Sequence, residues 1–371
     1  MNKNDCESPE PEPRGREWYD WKWQLKNRIT DAQSLEKTIP LDDSEKEDIS
    51  RCLKVFRMAI TPYYASLIDP YDKNCPIRMQ AVPSANETNV LPCEMDDPLG
   101  EEAESPAPNI VHRYPDRVLF LVTRTCAMYC RHCTRRRVVG EEDTFITKAQ
   151  MEAAVSYIES DPRIRDVLVS GGDPLTMGDA ALEKIMSRLR KIKHVQIIRI
   201  GTRAPAVLPM RITPGLLAML KKYQPVWIST HFNHPKELTP DALRACADIA
   251  DAGIPLGNQS VLLRGVNDDA ETMKELLLKL VAARVRPYYL YQCDLSRGIG
   301  HFRTRVEKGV EIIRALTGSI SGYAVPKFVI DAPGGGGKIP INPEYVISMD
   351  ESEVVMRNYK GDAYAYPQPR D

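Results

Sequence analysis

The sequence predicts an α/β fold, a parallel sheet of consecutive βα units with a helical N-terminal extension and a short C-terminal α+β extension. Three observations carry this. Strand-like apolar runs begin near Arg117, Asp166, Val195, Pro225, Pro255 and Arg286. Helical patterns over 148–159, 181–192, 214–223, 240–251 and 271–285 lie between them. After a longer first unit, the repeat is roughly 30 residues, the length of a βα unit. Start signals support the helices: Thr147 with Gln150 forms a capping box, and Thr213-Pro214 and Thr239-Pro240 each supply an N-cap followed by proline. Six units are too few for an eight-stranded barrel, so a partial barrel and a doubly wound sheet both fit. In either, function gathers at the C-terminal ends of the strands.

The N-terminal tail, with Pro9, Pro11 and Pro13, reads as disordered to about Gly15. Helical stretches follow at 18–29 and 44–58. A Pro- and acid-rich passage over 71–109 reads as loop with one short helix. The expected division is an N-terminal tail and helical extension over 1–110, a core over 111–300 and a C-terminal segment over 301–371. The 371 residues carry a formal net charge of -1, which gives no general attraction to nucleic acid or anionic lipid. Arg135, Arg136 and Arg137 form too short a basic run to alter that. No apolar stretch is long enough for a membrane span, and the polar N-terminus is no secretory signal. Nine cysteines, an odd number in a long chain, predict reduced thiols and a cytoplasmic location.

Two motifs carry chemistry. Cys126, Cys130 and Cys133 form CxxxCxxC just after the first strand of the alternation. Thiolates hold iron–sulfur clusters, and three of them on a four-iron cluster leave one iron open. A zinc site with His132 as fourth ligand is the alternative, but adjacent ligands at 132 and 133 are geometrically awkward. The next strand ends Ser170-Gly171-Gly172-Asp173, where two glycines permit close backbone approach to a ligand. The second motif is the run Gly334 to Gly337 followed by Lys338. It is no phosphate-binding P-loop, because Ala332 and Ile339 break that pattern at both ends. Pro333, Pro340 and the apolar Phe328-Val329-Ile330 instead suggest a positioned loop. A lysine with free space around it suits Schiff-base chemistry.

Together these motifs resemble a known family. CxxxCxxC after the first strand of a partial βα barrel is similar to the radical S-adenosylmethionine (SAM) superfamily. The string from Pro333 to Lys338 resembles the pyridoxal phosphate (PLP) lysine of the lysine 2,3-aminomutase family. Stretches beginning at Trp18, Ile60, His112, His231, Gly257 and Tyr291 extend the likeness from about residue 18 to about 361. The resemblance implies a partial (β/α)6 radical SAM barrel with a 4Fe-4S cluster on Cys126, Cys130 and Cys133. It implies SAM contacts at Ser170, Gly171, Gly172 and Asp173, with His132 and Gln259 as weaker candidates. Lys338 would carry PLP, Arg113 and Arg117 would lie around its phosphate, and Arg135 would grip the substrate α-carboxylate.

Asp294 and Asp331 match positions that bind a distal ammonium, which favours conversion of L-lysine to L-β-lysine, an isomerase reaction. An arginine 2,3-aminomutase or a protein-lysine aminomutase on the same scaffold is the alternative, and Arg297 close to Asp294 tempers the choice of lysine. The implied partners are a small amino acid and an electron donor such as ferredoxin or flavodoxin, with a homo-oligomer left open. No zinc is expected. Asp269 stands where longer members place a cysteine ligand, and the cysteine-rich C-terminal segment of those members is not in this sequence. Cys6, Cys52, Cys75, Cys93, Cys246 and Cys293 are expected to be spectators.

Overall fold

The computed structural model describes residues 15–139 and 143–369. The tail expected to be disordered, with Cys6, lies outside the described residues. The main sheet has nine strands: β1 (Ile110–Tyr114), β2 (Arg117–Thr123), β3 (Asp166–Gly171), β4 (Ile197–Gly201), β5 (Val226–Thr230), β6 (Leu256–Leu262), β7 (Val285–Gln292), β8 (Lys327–Ala332) and β9 (Gly337–Pro340). They follow one another across the sheet in chain order. Strands β2 to β8 pair in parallel, while β1 and β9 are antiparallel flanks.

That order decides between the two architectures that periodicity alone left open, in favour of the partial barrel the resemblance implied. A doubly wound sheet reverses its strand order at a switch point. Here each strand adds on the same side, so right-handed crossovers put every connecting helix on one face. The sheet therefore curls with its other face inward, as a partial barrel. The six expected strands are β2 to β7, and β8 is a seventh in parallel register. Its apolar residues were legible, but the longer connection through the helix Val306–Leu316 hid it from the count. The two edges approach without pairing. The Lys338 backbone N–H donates to the Tyr114 hydroxyl at 3.0 Å, and Arg113 Nη1 lies 3.8 Å from Asp331 Oδ1.

Strand alternation sorts side chains between the helices and the interior. On β2, Val118, Phe120 and Val122 are buried against the helices. On β6, Leu256, Asn258, Ser260 and Leu262 are buried, while Gly257, Gln259 and Val261 line the interior. The interior is a cavity of about 750 Å³. The outer helices Lys148–Ser160, Asp179–Lys191, Pro214–Lys221, Pro240–Asp251 and Ala270–Ala282 lie where periodicity predicts. Thr147, Thr213 and Thr239 cap theirs as expected.

The N-terminal extension is tied within itself by the Ile29–Ile60 bridge, and it joins this body through the buried Thr61 and Tyr64, whose hydroxyls donate to the Val207 carbonyl at 2.6 Å and to Glu237 at 2.8 Å. The passage 71–109 holds the helix Pro76–Ala81 and a short 3-10 turn, Ala85–Thr88. Near the C-terminus, β10 (Val346–Met349), β11 (Glu353–Arg357) and β12 (Ala363–Pro367) form a separate antiparallel sheet. Among the described residues no helix is long and apolar enough to cross a membrane.

Candidate active site

The cysteine loop leaves the C-terminal end of β2 and is held from several directions. Arg28 donates to the Cys126 carbonyl at 2.6 Å, and the Arg131 backbone N–H donates to the Gln80 carbonyl at 2.9 Å. Arg131 and Arg136 both pair with the buried carboxylate of Glu87. Arg203 Nη1 donates to the Cys130 sulfur at 2.7 Å. Burial pushes the Cys126 thiol well above its ordinary pKa, with Cys133 and Asp173 adding to the shift. Burial also raises the Cys133 thiol, and Cys130 adds to it. Cys126 and Cys133 therefore sit where a thiolate needs a neighbouring cation.

The end of β3 packs on this loop. A Cβ on Gly171 would lie 2.3 Å from the Thr123 carbonyl oxygen, and one on Gly172 would lie 2.3 Å from that of Thr125. The Gly172 and Asp173 N–H groups donate to those carbonyls at 2.6 and 2.8 Å. The glycines thus accommodate the backbone of the cysteine loop. The Asp173 side chain is engaged within the protein. Its buried carboxylate accepts from the Thr202 hydroxyl at 2.7 and 2.9 Å, the Arg203 N–H at 2.8 Å and the Leu175 N–H at 3.0 Å. It is a strut joining the ends of β3 and β4.

Ser170 and Gln259 line the barrel cavity. His132 is buried and stacks on His231, with ring centroids 5.4 Å apart. Burial lowers the pKa of both imidazoles, that of His231 to about 3, so the pair is neutral. His132 Nδ1 and Thr230 Oγ1 are buried without partners among the described residues.

The cavity collects the remaining expected residues: Arg113, Arg117, Arg135, Asp294, Asp331 and Lys338. Arg135 is gripped by Glu101, with Nε–H and Nη2–H donating at 2.9 and 2.6 Å. Burial opposes the Arg135 charge, but Glu101 more than offsets it. Arg113 donates to Glu104 at 2.7 Å and to the Leu99 carbonyl. Arg117 pairs with Asp116 and lies 3.9 Å from the centroid of the Tyr114 ring.

Lys338 Nζ donates to both Asp331 oxygens, at 3.0 and 3.2 Å, and stands 5.4 Å from the centroid of the Tyr291 ring. Burial, and then the Asp331 charge, push the Asp294 carboxyl from its ordinary 3.8 to about 7. The glycine run is a turn between β8 and β9, with positive φ at Gly334 (71°), Gly335 (92°) and Gly337 (79°). Its Gly334 N–H donates to the Pro98 carbonyl at 3.0 Å, so the turn is anchored to the acid-rich passage.

Glu87, Glu101 and Glu104 were missed by sequence reasoning, as were Arg203 and Glu237. The three glutamates lie in the passage read as loop, Arg203 and Glu237 lie between the expected strands and helices, and no short-range pattern marks a carboxylate destined for a distant arginine. Arg297 does not line the cavity. It reaches the exposed Asp96 at 3.6 Å. Asp269 caps the helix Ala270–Ala282 by accepting from the Thr272 N–H at 2.8 Å.

This geometry agrees with known sequences. A lysine-2,3-aminomutase family model matches residues 313–371, and a radical SAM superfamily model matches residues 120–277. The L-lysine 2,3-aminomutase of Clostridium subterminale is 57% identical over 353 residues, covering 95% of this chain and 85% of that one. The chain belongs to the lysine 2,3-aminomutase family. The L-lysine 2,3-aminomutase of Fusobacterium nucleatum is 55% identical over 361 residues, covering 97% of this chain and 85% of its own. A glutamate 2,3-aminomutase of Clostridioides difficile is more distant, 47% identical over 345 residues that cover 93% of this chain and 82% of its own.

The radical SAM superfamily implies SAM and a 4Fe-4S cluster, and the residues present fit both. Three half-buried thiols lie on one loop, and burial raises the pKa of two of them, Cys126 and Cys133. On the same loop the buried His132 Nδ1 lacks a partner among the described residues. Among the described residues, no three His, Cys, Asp or Glu side chains are gathered as a single metal ion would need. A four-iron cluster takes each thiolate at a separate iron and accepts that wider spread. A PLP-sized group also fits: a roomy cavity holds one lysine amine with Arg113 and Arg117 along its wall.

Proposed function

We propose that this chain is a radical SAM, PLP-dependent isomerase that converts L-lysine to L-β-lysine by moving the amino group from C2 to C3. One observation carries the choice of substrate. An alkylammonium, that of Lys338, already lies against Asp331 inside the cavity, with Asp294 on the same wall. Two acids converging on a cation offset its desolvation, whereas a substrate with a distal carboxylate would be repelled.

When bound, the cluster with SAM supplies a hydrogen-abstracting radical, and PLP supplies a conjugated carrier for the migrating nitrogen. The protein binds, orients and excludes water. Cys126, Cys130 and Cys133 would hold the cluster. His132, Ser170 and Gln259 would contact SAM, with Gly171, Gly172 and Asp173 shaping that edge of the site. Lys338 would hold PLP through Nζ, with Arg113 and Arg117 toward its phosphate. With Nζ holding PLP, Asp331 and Asp294 would be left to take the distal ammonium of lysine. Glu101 occupies Nε and Nη2 of Arg135, and Nη1 would grip the substrate α-carboxylate. The reducing electron would come from a low-potential carrier such as ferredoxin or flavodoxin, in the cytoplasm, where thiols stay reduced.

The test is product identification. Anaerobically reconstituted protein is incubated with SAM, PLP, reductant and, separately, L-lysine, L-arginine or L-glutamate. β-Lysine is the expected product. Formation of β-arginine or β-glutamate without β-lysine would overturn the assignment.

A further inference from the structure

Behind the cysteine loop lies a charged pair that plays no part in the reading above. Arg203 and Glu237 are buried and joined at 2.7 Å. Arg203 follows β4, and its backbone is pinned by Asp173. Its Nη2 also donates to Gln80 Oε1 at 2.6 Å. Glu237 is fully engaged: it accepts from the Tyr64 hydroxyl at 2.8 Å and from the Asn233 and His234 N–H groups at 2.6 and 2.9 Å. The remaining Arg203 terminal nitrogen, Nη1, reaches the Cys130 sulfur at 2.7 Å.

Arg203 is thus clamped on one edge and aimed at a sulfur on the other. A guanidinium stays protonated even when buried, so the contact delivers a fixed positive charge and an N–H donor. Structure alone would not require that charge. Replacing a buried ion pair by apolar side chains is often neutral or stabilising.

We propose that Arg203 is a positioning residue that raises the reduction potential of the cluster through its hydrogen bond to Cys130, with Glu237 setting how much positive charge reaches the sulfur. The inference rests on the radical SAM reading of the three cysteines. One electron from a low-potential carrier adds one negative charge to the cluster and its thiolates. A cation and a donor at one sulfur stabilise that reduced state more than the oxidised one. Loss of the donor makes reduction harder, while loss of the opposing carboxylate makes it easier.

The experiment compares wild-type protein with R203K, E237Q and the double variant R203Q/E237Q, all reconstituted anaerobically. Iron and sulfide per chain are measured first. The cluster midpoint potential is then read by EPR-monitored titration without any amino acid present. All four proteins are expected to load the cluster. R203K and the double variant should shift to a lower potential by about tenfold or more in the reduction equilibrium, about 59 mV for one electron. E237Q should shift in the opposite direction, which a merely structural pair would not produce.

Unchanged midpoints in fully loaded variants would overturn the proposal. So would loss of iron in every variant, which would assign the pair to holding the loop. The readout needs no turnover, so wild type that carried the cluster but made no β-lysine would defeat the function reading and leave this one standing. Wild type that formed no cluster would defeat both.

Discussion

Replacing Asp294 by asparagine should strengthen the fold while weakening the enzyme, and pH separates the two effects. The folded-state pKa of Asp294 is raised from 3.8 to about 7, chiefly by burial and then by Asp331. The unfolded chain therefore loses this proton near pH 4, and the folded chain keeps it to about pH 7. Below both values the group contributes nothing. Between them the folded state binds more protons, so stability falls as pH rises, and above pH 7 the loss is constant. At 1.36 kcal/mol per pKa unit the full loss is about 4 kcal/mol.

Asp294→Asn removes that loss. In urea unfolding of the cofactor-free protein, the stability advantage of the variant over wild type should grow by about 2–3 kcal/mol between pH 5 and pH 8. The same variant should lose on the order of 30-fold in kcat/KM for lysine, because one partner of a buried charge pair is removed. An advantage that stayed constant or shrank between pH 5 and pH 8 would refute the reasoning.

Other outcomes follow from the same geometry. Lysine binding should hold Asp294 ionised, so KM for lysine in wild type should fall as pH rises through about 7, a trend that a KM–pH profile would reveal and that Asp294→Asn should abolish. Gly172→Ala forces a Cβ to within 2.3 Å of the Thr125 carbonyl oxygen. Overpacking of this kind costs about 1–3 kcal/mol, and iron content after reconstitution should fall below wild type. Glu101→Gln weakens the grip on Arg135, and KM for lysine should rise about tenfold or more with a smaller change in kcat, as steady-state kinetics would show. Lys338→Ala should abolish both turnover and the visible absorption of lysine-bound PLP while leaving the iron content unchanged.

The two cofactor motifs were legible because their chemistry needs fixed residue types at short spacing. A loop that offers three thiolates to one cluster writes CxxxCxxC into adjacent residues. A lysine on an open turn writes its glycines beside it, and positive φ at Gly334, Gly335 and Gly337 gives the reason. The alternation of strands and capped helices was legible for the same local reason. Asp173 shows where this stops: its type and place were evident, but its carboxylate turns to Thr202 and Arg203.

By itself, then, the sequence determined the βα repeat, the cysteine loop and the glycine turn ending in Lys338, and its family resemblance pointed to Asp294 and Asp331 as acids for a cationic substrate. The family resemblance also implied the partial barrel, but only the tertiary structure decided that it has a seventh parallel strand and showed why the sheet curls, because strand order and helix side are properties of the assembled sheet. It alone showed which charges meet: Arg135 with Glu101, 34 residues away, Arg131 with Glu87, 44 away, and Arg203 with Glu237, 34 away. An exposed arginine and a buried, paired one read alike in sequence. Burial separates them, since a charge removed from water requires a partner, and the fold brings that partner from elsewhere in the chain.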